Sequence, residues 1–315
     1  MKVGVALSGG GMRGIAHAGV LKAFEDYGIK IDVIGGTSAG SMVASLYAIG
    51  YKTDEIFACF QENSSKILGK EKFKFLKGIK NLISKKSNGK GFKNGENIEK
   101  VFNELSLNKN VDKISNIEMP IVIPTVDIKD SKEYIFTNYI PKINFDNQKT
   151  NNEKEYITEI GVGEAVRASS SFPAVFNLCT IEKHAFIDGG ALDNVPVEEV
   201  RKQGADIVIA VKFDEDKIND DSSVMDIIMK TIDIMGSKIA EQNIEKSDFV
   251  LNINTGKMGL LDTKNIEKCF NIWYESVKNN IEKIQKIILR WSICRYIYWF
   301  IWKLVNSIDI REKLS

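Results

Sequence analysis

Histidine and cysteine, which supply many metal ligands and catalytic groups, are scarce in this sequence. Its 315 residues include 2 histidines and 4 cysteines, and the cysteines are widely spaced, with no CxxC pair. A zinc site has few ligands available, and we expect neither a metal nor another cofactor. The cysteine pattern excludes a disulfide framework and suits a reducing compartment.

Excess charge and long apolar runs are also lacking. The formal net charge is +1, so no nucleic-acid partner is expected. No run of about 20 uninterrupted apolar residues is present, so a standard transmembrane helix is not predicted. The N-terminus, MKVGVALSGGG, lacks the longer apolar core and the cleavage site of a signal peptide. We therefore expect a cytoplasmic protein.

The sequence instead alternates short apolar runs with amphipathic segments. KVGVAL and IDVIG are predicted strands, each followed by a small-residue turn and a helix, and Gly28 is placed to end the first helix. MPIVIPTVDI, HAFID and ADIVIAVKF are further predicted strands, and GEAVRASSSFPAVF predicts a helix that ends at Pro173. This order predicts an α/β fold with a mainly parallel central sheet flanked by helices on both faces and a helical C-terminal extension.

Composition divides the chain into three regions. The predicted α/β domain spans residues 1–215, with a Lys-rich insert at 64–93. Residues 216–285 are predicted to be a mostly helical continuation packed on that core. The last region, 286–315, is an aromatic and basic amphiphilic tail.

The first glycine-rich loop has two functional interpretations. Gly9, Gly11 and Gly14 satisfy G-x-G-x-x-G between a strand and a helix, the context of a dinucleotide site. That site also needs an acidic residue at the end of the second strand, whereas Asp32 stands at its beginning. Alternatively, consecutive glycines leave backbone N–H groups accessible at a helix N-terminus, where they bind a phosphate or a developing oxyanion. A simple packing turn is the third interpretation.

The sequence GTSAG, residues 36–40, favours acyl transfer. In G-x-S-x-G between a strand and a helix, the serine stands at a sharp turn with its hydroxyl exposed. Gly36 and Gly40 avoid Cβ clashes in that turn, and Ala39 keeps the strand and helix close. Ser38 is therefore the candidate nucleophile.

A serine hydroxyl is a weak nucleophile and needs an adjacent base. In the order used by α/β-hydrolases, the base is His184, served by Asp127, whereas His17 is better explained as a packed or capping helix residue. The other candidate is Asp188, which follows a short buried strand. Burial raises the pKa of such a carboxylate and makes it a better base. An Asx turn would also explain this aspartate.

Three motifs in this order resemble those of the patatin-like phospholipase family, and the sequence is similar to a bacterial member of it. They are GGGMRG at 9–14, GTSAG at 36–40 and DGG at 188–190. The resemblance covers residues 1–215, and RASSSFPAVF and GFKNGENI are similar to family segments. Ser8 stands where plant members carry Asp, a difference that leaves the chemistry intact.

The resemblance implies a serine lipid acyl hydrolase of phospholipase A type that works without histidine. Ser38 is the implied nucleophile and Asp188 the implied general base, a Ser-Asp dyad that forms an acyl-enzyme. The implied oxyanion hole is the backbone of Gly9, Gly10 and Gly11. The remaining motif residues are supporting positions: Met12, Arg13, Gly14, Gly36, Gly40, Gly189 and Gly190.

The implied substrate is a phospholipid or another acyl lipid, so a membrane-facing surface is expected. The insert at 64–93 and the tail at 286–305 combine basic with apolar or aromatic residues, as peripheral membrane-binding segments do. The alternatives are a solvated insert, and a tail helix that packs on the core or spans a bilayer imperfectly.

Three other functions stay open at this point. An esterase could use Ser38 with His184 and Asp127, and a nucleotide-binding oxidoreductase could use the G-x-G-x-x-G loop. A non-catalytic membrane-binding protein could keep the same fold.

Overall fold

The computed structural model describes residues 1–67, 94–141, 154–173, 175–213, 224–254 and 266–312. In these residues nine strands form one sheet. The strands are β1 (Val3–Leu7), β2 (Val33–Gly36), β3 (Ile121–Asp127), β4 (Lys132–Thr137), β5 (Glu155–Ile157), β6 (Cys179–Ile181), β7 (His184–Asp188), β8 (Ile207–Phe213) and β9 (Phe249–Ile253). The α-helices are α1 (His17–Asp26), α2 (Ala39–Ala48), α3 (Thr53–Ile67), α4 (Glu96–Leu107), α5 (Val162–Ser169), α6 (Val197–Lys202), α7 (Val224–Ile244) and α8 (Ile266–Glu312). Short 3-10 helices span Gly11–Ala16, Ile114–Asn116 and Gly189–Ala191.

The sheet is mainly parallel, as predicted. Its order is β5-β4-β3-β2-β1-β8-β9, and each neighbouring pair in this order is parallel except β3 with β4. The β6–β7 hairpin is attached at β3, with β7 antiparallel to it. The carboxyl ends of β1 and β2 therefore meet at one edge of the sheet, where the two glycine-containing motifs begin.

Helices cover both faces of the sheet. Alternate residues of a strand point to opposite faces, and in β1 both sets are apolar, so each face needs a layer of helices to bury it. Val5 and Leu7 belong to a large apolar core with α1 to α5 and α8, whereas Ala6, between them, belongs to a smaller core with α6 and α7. The predicted layer arrangement is confirmed.

The C-terminal helix α8 is long, with 47 residues, or about 70 Å at the usual rise of an α-helix. Its first half packs closely on α1, since a Cβ on Gly19 would lie 2.3 Å from the Phe270 carbonyl oxygen. Trp273 is fully buried there. The predicted boundary between residues 285 and 286 falls inside this one helix.

The helix predicted to end at Pro173 ends earlier. Helix α5 stops at Ser169. In a continuing helix the Arg167 carbonyl would accept the Ser171 N–H, but it accepts the Ser171 hydroxyl instead, and the Ser171 N–H donates to the Ala168 carbonyl. Serine side chains compete well for backbone groups, so this run of serines ends the helix before the proline.

Candidate active site

Ser38 occupies a strained turn between β2 and α2. Its backbone has φ 53° and ψ −122°, a region that residues with a side chain rarely adopt and that is concentrated at functional sites. Gly36 is the last residue of β2, and Gly40 is in the first turn of α2. A Cβ on Gly40 would lie 2.5 Å from the Leu7 carbonyl oxygen, so the turn requires a glycine there.

Backbone contacts on both sides fix this turn. Ser38 N–H donates to Ser169 Oγ at 3.0 Å, and the Ser38 carbonyl accepts Ser41 N–H at 2.9 Å. The hydroxyl of Thr37 donates to the Asp193 carbonyl at 2.8 Å. The side chain of Ser38 is half-buried, so it is fixed in direction and still open on one side.

Sheet register brings Asp188 to the same level as Ser38. Gly35 of β2 pairs with Val122 of β3, and Thr125 of β3 pairs with Asp188 of β7. Ser38 is three residues after Gly35, and Thr125 is three residues after Val122, so Ser38 and Thr125 lie at about the same level. Because Thr125 pairs with Asp188, this places Ser38 close to the end of β7. Asp188 is held there because its N–H donates to the Ser171 carbonyl at 3.1 Å.

The Asp188 carboxyl is 3% exposed, and burial raises its pKa to about 6. Oδ1 accepts Gly190 N–H at 2.8 Å. Oδ2 is buried and accepts no hydrogen bond of ordinary geometry from a described residue. The Ser38 hydroxyl lowers the pKa of this carboxyl against the larger effect of burial, so the two side chains are neighbours.

Two glycines follow the aspartate in the 3-10 helix Gly189–Ala191. A Cβ on Gly189 would lie 2.2 Å from the Pro124 carbonyl oxygen. The chain can therefore turn directly beside β3 only with glycine at this position, which keeps Asp188 at the strand end.

The first glycine loop lies against Ser38. A Cβ on Gly9 would be 3.2 Å from Ser38 Cβ. Gly9 N–H donates to Asn194, to Oδ1 at 3.0 Å and to the carbonyl at 3.2 Å. The Gly9 amide is therefore engaged within the fold, just before the 3-10 helix Gly11–Ala16.

The other residues of this motif continue that 3-10 helix. Gly14 packs on the start of α2, since a Cβ on it would lie 2.4 Å from Ala39 Cβ. The backbone of Met12 and Arg13 is helical, but their side chains lie outside the described part of the structure.

The imidazole of His17 contacts the residue before the glycine loop and is neutral at physiological pH. Its Nε2 donates to the Ser8 carbonyl at 2.8 Å, and its ring lies 4.5 Å from that of Trp273. Full burial lowers the pKa of His17 to about 3. These contacts agree with the interpretation of His17 as a packed helix residue.

His184 and Asp127 do form a pair, but at a different place from Ser38. His184 Nδ1 lies 2.7 Å from Asp127 Oδ2, and the imidazole stacks on Phe186. His184 is four residues before Asp188 on β7, or about 13 Å along an extended strand. The structure therefore places the carboxylate beside Ser38 and the histidine at the far end of β7.

Sequence reasoning missed two residues of this site. Ser169 accepts the Ser38 amide, and Asn194 accepts the Gly9 amide. RASSSFPAVF and FIDGGALDNVP contain them, but an ordinary serine at a helix end and an asparagine before a valine and a proline carry no distinguishing signal.

The structure combines a mainly parallel α/β sheet, a serine at a sharp strand-to-helix turn and a buried carboxylate near that serine, in the order of the three sequence motifs. The model of the patatin-like phospholipase family matches residues 5–201. This chain belongs to the patatin-like phospholipase family.

Relatives and solved structures agree with this assignment. The chain is 31% identical over 210 residues to lysophospholipase NTE1 of Meyerozyma guilliermondii, covering 66% of this chain and 12% of the relative. It is 33% identical over 214 residues to the Candida albicans lysophospholipase NTE1, covering 66% and 13%. The fold is similar to that of VipD from Legionella pneumophila, with a TM-score of 0.52 and 15% identity over 90% of this chain and 67% of that one.

The family model confirms the predicted family, and the similarity to VipD agrees with the predicted fold. They do not support the dinucleotide interpretation of the glycine loop. The two curated relatives are fungal, so a bacterial origin has no support from them. The chain spans about an eighth of the length of these relatives.

Proposed function

We propose that this chain hydrolyses the fatty-acyl ester of lysophospholipids through Ser38 and Asp188. The observation that carries the proposal is the buried Asp188 carboxyl facing the strained Ser38, with the glycine loop beside both. The name of the curated relatives, lysophospholipase, supports the choice of substrate.

The residues suggest a two-step reaction. The Asp188 carboxylate takes the proton of the Ser38 hydroxyl while Oγ attacks the ester carbonyl carbon. Backbone N–H groups of the glycine loop stabilise the oxyanion, an effect worth a few kcal/mol per donor in other enzymes. The proton on Asp188 then passes to the departing glycerol oxygen, which leaves an acyl-enzyme. Asp188 next activates water, which releases the fatty acid and restores Ser38.

The first prediction concerns the substrate. Vesicles that contain equal amounts of a lysophospholipid and a diacyl phospholipid should lose the lysophospholipid first, with release of fatty acid and glycerophosphoalcohol. Mass spectrometry of the lipid and water-soluble products measures this order. Consumption of the diacyl lipid with accumulation of lysophospholipid would show instead a phospholipase A preference. If the Ser38→Ala protein hydrolyses the lipid as fast as the unsubstituted protein, the proposed active site is wrong.

A second part of the proposal is that the tail 286–305 binds the membrane surface peripherally. Leu289, Ile293, Tyr296 and Ile297 are all exposed, and their spacing places them on one side of α8. Trp273, Val277 and Ile284 face the core from another side. Arg295 stays on the core side, where it binds Asp206. The exposed stripe therefore points away from the domain.

The remaining membrane expectations are limited by what the structure describes. None of the helices in the described residues has both the length and the apolar content needed to cross a membrane. Most of the Lys-rich insert, residues 68–93, lies outside the described part of the chain. The tail therefore supplies the testable surface.

The second prediction is that Leu289→Glu weakens binding to lipid vesicles by about tenfold, because it removes one apolar side chain from the membrane contact. Cosedimentation with vesicles of neutral and anionic phospholipid measures the change. Leu107→Glu is the matched control, since Leu107 is 58% exposed on α4 and Leu289 is 59% exposed. Equal binding by both variants and the unmodified protein would contradict a role for the tail.

A further inference from the structure

One segment, Asp193–Asn194, contacts both halves of the proposed catalytic machinery. The Asn194 side chain and carbonyl both accept Gly9 N–H, while the Asp193 carbonyl accepts the hydroxyl of Thr37, next to the nucleophile. Two consecutive residues thus hold the glycine loop and the serine turn in a fixed relation.

Asn194 also touches the turn that follows the proposed base. A Cβ on Gly190 would lie 3.1 Å from Asn194 Oδ1 and 3.0 Å from Asp188 Oδ1. Asn194 Oδ1 is therefore packed between the Gly9 amide and the Asp188–Gly190 turn. Each part of the site that must keep its distance from Ser38 is in contact with this segment.

The segment is anchored from the opposite side by buried charges. Asp193 is fully buried, Asn243 Nδ2 donates to its Oδ1 at 3.3 Å, and Lys154 Nζ lies 3.7 Å from its Oδ2. The same Lys154 Nζ lies 3.0 Å from Glu133 and 3.1 Å from Glu199. A buried ion group of this kind has little freedom to move, because separating any one charge from its partners leaves it unpaired.

We infer that Asn194 is a positioning residue, with Asp193 as its anchor. It holds the glycine loop where the N–H groups of the loop can reach the oxyanion. The inference rests on the proposed function of Ser38. Without the Oδ1 acceptor, only the longer bond to the Asn194 carbonyl holds the Gly9 amide. The Gly9 peptide then has more freedom to turn, and the N–H groups of the loop are less well directed at the carbonyl oxygen. Since an oxyanion exists only in the reaction and not in the bound ester, the loss falls on kcat rather than on KM.

The third prediction is that Asn194→Ala lowers kcat by about 10- to 100-fold with little change in KM, as expected for a small misplacement of catalytic groups. Hydrolysis of a short p-nitrophenyl ester by the full chain measures both constants. The inhibition constant of an alkyl boronic acid, which forms a tetrahedral adduct with the serine, should rise by a similar factor. A general loss of folded protein would not change the ratio of the inhibition constant to KM.

Asn138→Ala is the matched control. Asn138 also accepts a backbone amide, that of Ile121, and donates to two carbonyls, but at the opposite end of β3. It should lower the melting temperature and leave kcat unchanged. A kcat for Asn194→Ala within twofold of the unmodified value, or an unchanged ratio of inhibition constant to KM, would overturn the inference.

If Asn194→Ala does not fold, Thr37→Val decides, because it removes the bond to the Asp193 carbonyl with little change in size. It should lower kcat by about 3- to 10-fold at unchanged KM, and an unchanged kcat overturns the inference. Ser38→Ala separates this outcome from failure of the proposed function. If that protein still hydrolyses the ester, the proposed nucleophile is wrong, whereas if only Asn194 and Thr37 prove neutral, the positioning role alone is wrong.

Discussion

Ser38→Ala is expected to lower hydrolysis of lysophospholipid by at least about 10⁴-fold, the scale seen when the nucleophile of a serine hydrolase is removed. The physical reason is that no acyl-enzyme can form without Oγ. The polarised glycine loop and the Asp188 carboxylate would stay in place, so only a small residual rate is expected. Fatty-acid release at saturating substrate measures kcat directly.

Covalent labelling gives a second measurement of the same prediction. A fluorophosphonate should label the unsubstituted protein at Ser38 and should not label the Ser38→Ala protein. Peptide mass spectrometry locates the labelled residue. Ser45→Ala is a suitable control, because Ser45 is a buried serine of the same helix whose hydroxyl donates to the Met42 carbonyl. Labelling at another serine, with full activity in Ser38→Ala, would be incompatible with the proposed nucleophile.

Asp188→Asn is expected to lower kcat by about 10²- to 10⁴-fold, the usual contribution of a general base. Asparagine is nearly the same size and can still accept Gly190 N–H, but it cannot take the serine proton. The measurement is kcat at pH 8, where the Asp188 carboxyl of the unmodified protein is ionised, since burial raises its pKa only to about 6.

The same pKa predicts the pH profile of the unmodified protein. The base acts in its ionised form, so kcat/KM should rise tenfold per pH unit below about pH 6 and level off above it. His17 adds no step in this range, because burial lowers its pKa to about 3. A profile that stays flat down to pH 4 would exclude Asp188 as the base.

Asp127→Asn and His184→Ala are the matched controls, because they alter the other carboxylate and its histidine on the same sheet. Both proteins should keep kcat near the unmodified value, with any loss confined to thermal stability. Retained activity in Asp188→Asn together with loss in His184→Ala would instead establish a triad esterase.

The central sheet could be predicted from the sequence because each buried strand is a short apolar run bounded by glycine or polar residues. The turn at Ser38 could be predicted for a related reason, because a sharp turn between a strand and a helix leaves no room for a Cβ at positions 36 and 40. These are local patterns, and the structure places both where the pattern indicates.

Contacts between distant parts of the chain could not be predicted in the same way. Asn194 is 185 positions away from Gly9 in the sequence, and the residues around either position do not indicate that the two are in contact. The sequence predicts the pairing of His184 with Asp127, and the structure contains it. Its position relative to Ser38 depends on the antiparallel register of β7 on β3, which a single sequence does not specify.

The strained turn at Ser38 and the buried carboxyl of Asp188 both act against folding. A residue held in a sparsely populated backbone region costs about 1–3 kcal/mol. The pKa of Asp188 is about 6 in the folded protein against an ordinary 3.8. The folded protein therefore binds this proton more tightly than the unfolded chain, and stability falls as pH rises between those values. Glycine at 38 or asparagine at 188 would relieve these costs, so the two side chains that the proposed reaction needs each lower the stability of the folded protein.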